Sequence, residues 1–201
     1  MKKAAFFLSF FLLAGCNSIS WKGPVDYDEG GSTMVVIPFR EGDFRRHFES
    51  SIGREIAERV EELIGKYAKE GTYRIVPYAA IGKDMMEELR NSDPRDIDWT
   101  KVAKAANADI VLSGNVTQFE TRREGAVNLF SGTCQVKVFA VRSGEKKTIY
   151  SRTHLVRHPG GETFELPFDL ESNDQKMRIQ LILKTAKECA EPFYPPPSES
   201  K

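Results

Sequence analysis

The hydrophobic positions between residues 34 and 77 follow a strand pattern, a helix pattern and a second strand pattern, and so predict a β-α-β unit. Residues 34–39 form a continuous apolar run, which is typical of a strand buried on both faces. From Phe44 to Tyr67 apolar residues recur every three or four positions, with arginines and glutamates between them. This spacing predicts an amphipathic helix of about 25 residues that ends near Gly71. Residues 73–77 then predict a short second strand.

The middle of the chain predicts two short helices and a long strand. Residues 83–90 are helical in pattern and are followed by a turn signal that includes Pro94. Asp96 or Asp98 has the side chain needed to cap the next helix, 99–107. Residues 108–120 predict a strand whose first half has a buried pattern and whose second half alternates between apolar and polar residues. Gly114 in this strand indicates a bulge or a close approach of neighbouring atoms.

The last third predicts an antiparallel meander followed by a helix. Residues 134–142 and 148–156 alternate between apolar and polar positions, with a hairpin loop between them, and 121–133 suits the loop of a further hairpin. Residues 174–190 predict a final helix, opened by a capping box of Ser172 and Gln175. The elements together predict an α/β (α+β) fold: one three-layer domain over 34–191, with a mixed sheet, a β-α-β start, an antiparallel meander and a C-terminal helix. A proline-rich, disordered tail is expected over 192–201.

The first 15 residues have the layout of a cleavable export signal. Lys2 and Lys3 precede the apolar run 4–14, and the small residues Ala14 and Gly15 lead directly to Cys16. The apolar run is about half of the ~20 residues that a membrane-spanning helix needs. The pattern is that of a bacterial lipobox, so we expect residues 1–15 to be removed and Cys16 to become the acylated first residue. An ordinary secretory signal with an incidental cysteine is the alternative.

An acylated Cys16 would hold the domain on a membrane without any spanning segment, because two or more acyl chains give stable anchoring. Residues 16–33 are rich in Ser, Gly and Asp and predict a flexible tether. Asn17, not aspartate, follows the cysteine. By similarity to enterobacterial sorting rules, this favours the outer membrane, with the domain facing the periplasm.

Charge excludes one class of partner. Removing Lys2 and Lys3 with the signal leaves 27 basic against 29 acidic residues, a net charge of −2. This balance gives no case for nucleic-acid binding and no broad basic field for anionic lipid. Arg54 and Arg59, on the charged face of the long helix, are candidates for a partner-binding face, although a solvated face with ion pairs between successive turns is the simpler interpretation.

The sequence carries no pattern that predicts catalysis, a metal or a cofactor. His47 is far in sequence from His154 and His158, which are four residues apart at the end of the predicted strand 148–156, and no CxxC, GxSxG, HExxH or phosphate-loop spacing is present. Cys134 and Cys189 remain after lipidation. An oxidising compartment would permit a disulfide between them, but two cysteines far apart in sequence are more typical of small buried residues.

The opening run 35–39, the alanine-rich helix leading into the strand 108–116, and the hairpin at 143–145 resemble the bacterial envelope lipoproteins of the CsgG-type fold. That group includes the curli-secretion pore subunit, the Pel polysaccharide export lipoprotein and the lipoprotein activators of penicillin-binding proteins; the TolB amino-terminal domain is similar. The resemblance implies a non-enzymatic subunit of a cell-envelope machine, such as an export complex, which binds an envelope partner or further copies of itself. An activator of a peptidoglycan synthase is the alternative, and a periplasmic enzyme is the least favoured one.

The curli pore also implies membrane-inserting hairpins, and these are not expected here. Residues 117–133 and 142–158 are the two hairpin regions, and both carry many charged side chains. Strands that cross a membrane need ~9–11 residues with one apolar, lipid-facing side. The smaller, non-inserting relatives are therefore the better models.

Overall fold

The computed structural model describes residues 31–42, 51–68, 72–93, 95–121, 129–145, 148–158, 164–165 and 170–194. The strands are β1 (Ser32–Val36), β2 (Arg40–Glu41), β3 (Tyr73–Val76), β4 (Ile110–Glu120), β5 (Leu129–Phe130), β6 (Gly132–Arg142), β7 (Thr148–His158) and β8 (Phe164–Glu165). The helices are α1 (Ser51–Tyr67), α2 (Lys83–Asn91), α3 (Trp99–Ala105) and α4 (Leu170–Ala190). Short 3-10 turns span Tyr78–Ile81 and Glu191–Phe193.

A mixed sheet organises the domain, with the strand order β3-β1-β4-β6-β7 and β2 added beside β4. β1 pairs in parallel with β3 and β4, whereas β4, β6 and β7 form an antiparallel meander. β5 and β8 form a separate two-stranded ladder. The predicted α/β fold, with its β-α-β start, meander and C-terminal helix, is confirmed.

Helices cover both faces of the sheet and divide the core in two. One cluster joins the sheet to α1 and α4 and includes Met34, Ile56, Val138 and Leu181. The other joins the opposite face to α2 and α3 and includes Val35, Leu89 and Val102. Met34 and Val35 are neighbours in β1 and point to opposite layers, which is why the strand is apolar at every position. The predicted three-layer architecture follows.

The domain boundaries differ from the predicted ones by a few residues. Ser32 and Thr33 pair with β3, so the sheet already includes the last two residues of the predicted tether. At the other end Phe193 is fully buried and Tyr194 is 5% exposed, although the tail was expected to begin at residue 192. Phe193 packs edge-on against Tyr150, with 5.2 Å between the ring centroids. Phe193 and Tyr194 therefore belong to the domain and not to the tail, because these aromatic side chains close the core beneath α4.

The predicted start of the last helix is corrected, and the predicted cap of α3 is confirmed. α4 begins at Leu170, so residue 172 lies inside its first turn and not at the N-cap position. β1 ends at Val36, before Pro38, which has no amide hydrogen to donate to a ladder. Asp98 caps α3 as predicted, accepting hydrogen bonds from the amides of Thr100 and Lys101.

Gly114 lies very close to atoms of neighbouring residues, which confirms one of the two roles predicted for it. A Cβ atom there would lie 2.9 Å from the Phe39 ring and 3.0 Å from the carbonyl oxygen of Lys137. The irregularity of β4 lies instead between Val116 and Gln118. A second close approach was not predicted: a side chain at Gly132 would collide with Leu181 of α4.

The signal, the acylation site Cys16, most of the tether and the predicted start of the first helix at Phe44 lie outside the described residues. Within the part of the chain that is described, no helix has both the length and the apolar character needed to cross a membrane.

Candidate interaction surface between α1 and α4

α1 places its apolar and charged residues on opposite faces, as its spacing requires. Ile56, Val60 and Ile64 are fully buried against the sheet and α4. The outward face carries four glutamates within two turns: Glu55, Glu58, Glu61 and Glu62. We call these four residues the glutamate ridge.

Arg54 and Arg59, the predicted partner face, lie beside this ridge and are exposed. Arg54 pairs with Glu58 at 3.7 Å and Arg59 pairs with Glu62, so both arginines contact glutamates on neighbouring turns of their own helix. Arg178 of α4 reaches across to Glu55 at 2.7 Å and links the two helices. The arginines therefore already have partners, and ion pairs this exposed contribute little to stability.

The helix pair leaves an open groove of about 570 Å³ beside the ridge. Its apolar wall is Ile179, Ile182 and Leu183, and three ridge glutamates with Arg59 form the opposite wall. Ile179 is 44% exposed and Leu183 is 41% exposed, although both are large aliphatic side chains. The sequence prediction missed this pair, because it considered only the buried face of the last helix. Their spacing of four residues outside that face was the available signal.

A second groove, of about 490 Å³, lies on the other side of the ridge. Its apolar floor includes Ile75, Pro77 and Tyr78 at the β3 edge, and Glu58, Glu61 and Glu62 border it. Burial raises the pKa of Glu61, and the negative charge of Glu58 raises it further. The ridge thus stands between two grooves with apolar surfaces.

The two described histidines lie on β7 and do not share a site. His154 lies on β7 under α4 and is 6% exposed; its Nε2 is 3.3 Å from the Tyr150 hydroxyl and its Nδ1 is 3.9 Å from Glu188. His158 lies four residues further along the same strand, and His47 is outside the described residues. Across the described ranges, no three residues among His, Cys, Asp and Glu are placed to hold a metal ion.

Cys134 of β6 and Cys189 of α4 are fully buried in the same core cluster and are free thiols in the structure. Burial raises the pKa of both thiols, and a charge on Cys134 would raise that of Cys189 further. The two residues therefore lie on facing elements of the core. A disulfide between them in an oxidising compartment stays a prediction.

No family model matches this sequence, and no curated protein matches it. Several solved structures are similar in fold. The lipoprotein GNA1162 from Neisseria meningitidis is 16% identical, with 78% of this chain and 99% of that chain covered and a TM-score of 0.48. A PelC dodecamer from Paraburkholderia phytofirmans is 17% identical, with 88% and 96% covered and a TM-score of 0.45.

The C-terminal domain of LpoB from Salmonella enterica is 17% identical, with 65% and 86% covered and a TM-score of 0.33. At these identities the likeness concerns the fold alone. The chain is similar in structure to bacterial envelope lipoproteins with a CsgG-like fold, and the resemblance predicted from the sequence is confirmed at that level.

Proposed function

We propose that this chain is a lipid-anchored envelope protein that acts as a non-enzymatic interaction or assembly subunit of a cell-envelope machine, such as an export complex. Cys16 carries the anchor, and the domain faces the periplasm from the outer membrane. The observation that carries the interaction role is the groove between α1 and α4. Ile179 and Leu183 are exposed there next to charged walls, and such surfaces are typical of binding sites.

Anchoring is tested by replacing Cys16 with Ser and following the protein in membrane and soluble fractions. We expect the wild-type protein to be acylated and membrane-bound and the variant to move to the soluble fraction, because the change removes the thiol that would carry the proposed acyl anchor. A variant that stays on the membrane, with unchanged processing, contradicts the anchor.

The interaction role is tested by complementing a strain that lacks the protein with Leu183→Ser. Leu183 is exposed, so this change leaves the core intact while it removes an apolar contact from the groove. We expect loss of complementation at normal protein abundance. A matched control is Leu155→Ser on β7, which is 53% exposed, lies away from the groove and leaves the backbone of that strand unchanged. Equal complementation by both variants and the wild type argues against the groove.

Activation of a peptidoglycan synthase is the second candidate function. The mass of the detergent-extracted protein distinguishes such an activator from an assembly subunit. β7 forms one edge of the sheet, and no described strand pairs with its outer side, so it offers 11 residues of backbone for self-association. An assembly of many copies would have a mass far above the 22.7 kDa of one chain. A synthase activator is expected to be monomeric.

A further inference from the structure

We propose that the glutamate ridge and its two grooves bind a cationic, amphipathic segment of a partner protein. This inference rests on the proposed interaction role and adds the chemistry of the partner. In such a complex, Lys or Arg side chains of the segment lie along the ridge, and its large apolar side chains enter the grooves on either side.

The charges of the surface favour a cation. The ridge has four carboxylates, and three arginines contact it: Arg54 with Glu58, Arg59 with Glu62 and Arg178 with Glu55. Glu61 has no cationic partner among the described residues. Glu61 is partly buried, and it lies close enough to Glu58 for the two charges to repel each other. A cation placed between Glu58 and Glu61 would relieve that repulsion and compensate the desolvation of Glu61.

The apolar surfaces on both sides explain why a simple cation would not be the whole ligand. Ile179 and Leu183 are one turn apart on α4 and expose their side chains beside Glu55, Glu58 and Glu62. On the other side Ile75, Pro77 and Tyr78 form the floor next to Glu61. A segment with apolar and basic residues on one face matches this order of apolar wall, acidic ridge and apolar floor.

The same charges argue against two other occupants. A second copy bound symmetrically through this face would place one glutamate ridge against another, since a two-fold interface brings identical patches together. An anionic membrane surface would meet the carboxylates of the ridge and be repelled. Neither objection applies to a cationic protein segment.

The test uses the mature polypeptide from residue 16 with Ser in place of Cys16, produced without acyl chains. The probes are a synthetic amphipathic helix with a leucine face and lysines, and a matched peptide with glutamate at every lysine position. Binding is followed by fluorescence anisotropy and by amide chemical shifts. We expect the lysine peptide to bind, with shifts confined to α1, the exposed face of α4 and β3, and the glutamate peptide not to bind.

Variants then locate the contact. Glu58→Gln with Glu61→Gln is expected to weaken binding of the lysine peptide about fivefold, the ratio that corresponds to the upper end of the range for one exposed ion pair. Leu183→Ser is expected to weaken it by a similar factor. The matched control, Asp96→Asn with Glu145→Gln, removes the same charge from exposed positions elsewhere and is expected to leave binding unchanged.

Equal weakening by the control double variant, or equal binding of both peptides, overturns the inference. Failure of this test can be distinguished from failure of the proposed function. If Leu183→Ser abolishes complementation in cells but the lysine peptide does not bind, the interaction role stands and the partner chemistry is wrong.

Discussion

At the scale of single residues, His154 shows how an edge strand can hold a buried titratable group. Its imidazole faces α4, next to Tyr150 on its own strand and Glu188 on the helix. Burial lowers the pKa of His154, the nearby charge of Arg152 lowers it further, and Glu188 partly opposes both. The neutral imidazole is therefore the form that suits the folded protein.

This predicts that the domain becomes less stable as the pH falls below about 6.5, the ordinary histidine pKa. In that range the unfolded state binds a proton at residue 154 that the folded state resists, so the free energy of unfolding becomes smaller as the pH falls. Urea unfolding at a series of pH values from about 7.5 to about 5 measures the slope. The His154→Gln variant should show a smaller slope, because this group no longer titrates.

His158 has to be separated from this effect, because burial and Lys184 also lower its pKa. His158→Gln therefore serves as the companion variant, and we expect it to leave part of the slope. A wild-type slope that neither single variant changes would mean that the acid sensitivity has another origin.

Single residues also show the limits of sequence reasoning. The glycine in the middle of the long strand, Gly114, indicated a close approach because a strand interior otherwise disfavours glycine. Gly132 is similarly restricted by Leu181, yet the sequence placed it in the predicted loop 121–133, where a glycine gives no such signal. Its neighbour is 49 residues away in sequence, and only the packing of α4 on β6 brings them together.

At the scale of elements, α1 was predicted well because its face is set by spacing alone. Every apolar position at helical period from Ile52 to Ile64 faces the core, where Ile56 is fully buried. The described helix ends at Tyr67, near the predicted end. α4 was predicted only in part, because its outward face also carries aliphatic residues, and a periodic pattern does not reveal which of two apolar stripes a neighbouring helix will cover.

We expect Ile56→Ala to lower the free energy of unfolding by about 2–5 kcal/mol, because it opens a cavity between α1 and the sheet. Ile179→Ala is the matched control on α4: the same change at a side chain that is 44% exposed should cost much less. Chemical denaturation of both variants provides the comparison. An equal loss of stability in the two variants would show that the groove wall is part of the folded core.

At the scale of the whole molecule, the C-terminal boundary of the domain gives a direct test. Truncation after Glu191 removes Phe193 and Tyr194, which fill the core below α4 and contact Tyr150 and Tyr67. We expect a loss of at least about 3 kcal/mol, as for the removal of a buried phenylalanine side chain. Thermal and urea unfolding measure it.

Truncation after Tyr194 is the control for this prediction. It removes only the last part of the proline-rich segment, for which the sequence predicts no packed structure, so the stability should stay at the wild-type value. Equal stability of both truncated chains would support the sequence prediction that the domain ends at residue 191.

The sequence by itself determined the properties that depend on neighbouring residues. The periods of 2 and 3.6 residues specified most strands and helices and their order, and the local run of lysines, apolar residues and Cys16 predicts the anchor. Asp98 caps its helix through contacts only two and three residues away, so that cap was also predictable.

Only the tertiary structure decided the features made by residues far apart in sequence. The candidate surface requires Glu55, Glu58 and Glu62 of α1 to lie beside Ile179 and Leu183 of α4, more than a hundred residues later. The burial of Phe193 and Tyr194, against the local signal of the prolines, depends in the same way on Tyr150 of β7 and Tyr67 of α1. Periodicity states which face of an element is apolar, whereas the choice of neighbour, and with it what remains exposed, is set by packing of the whole chain.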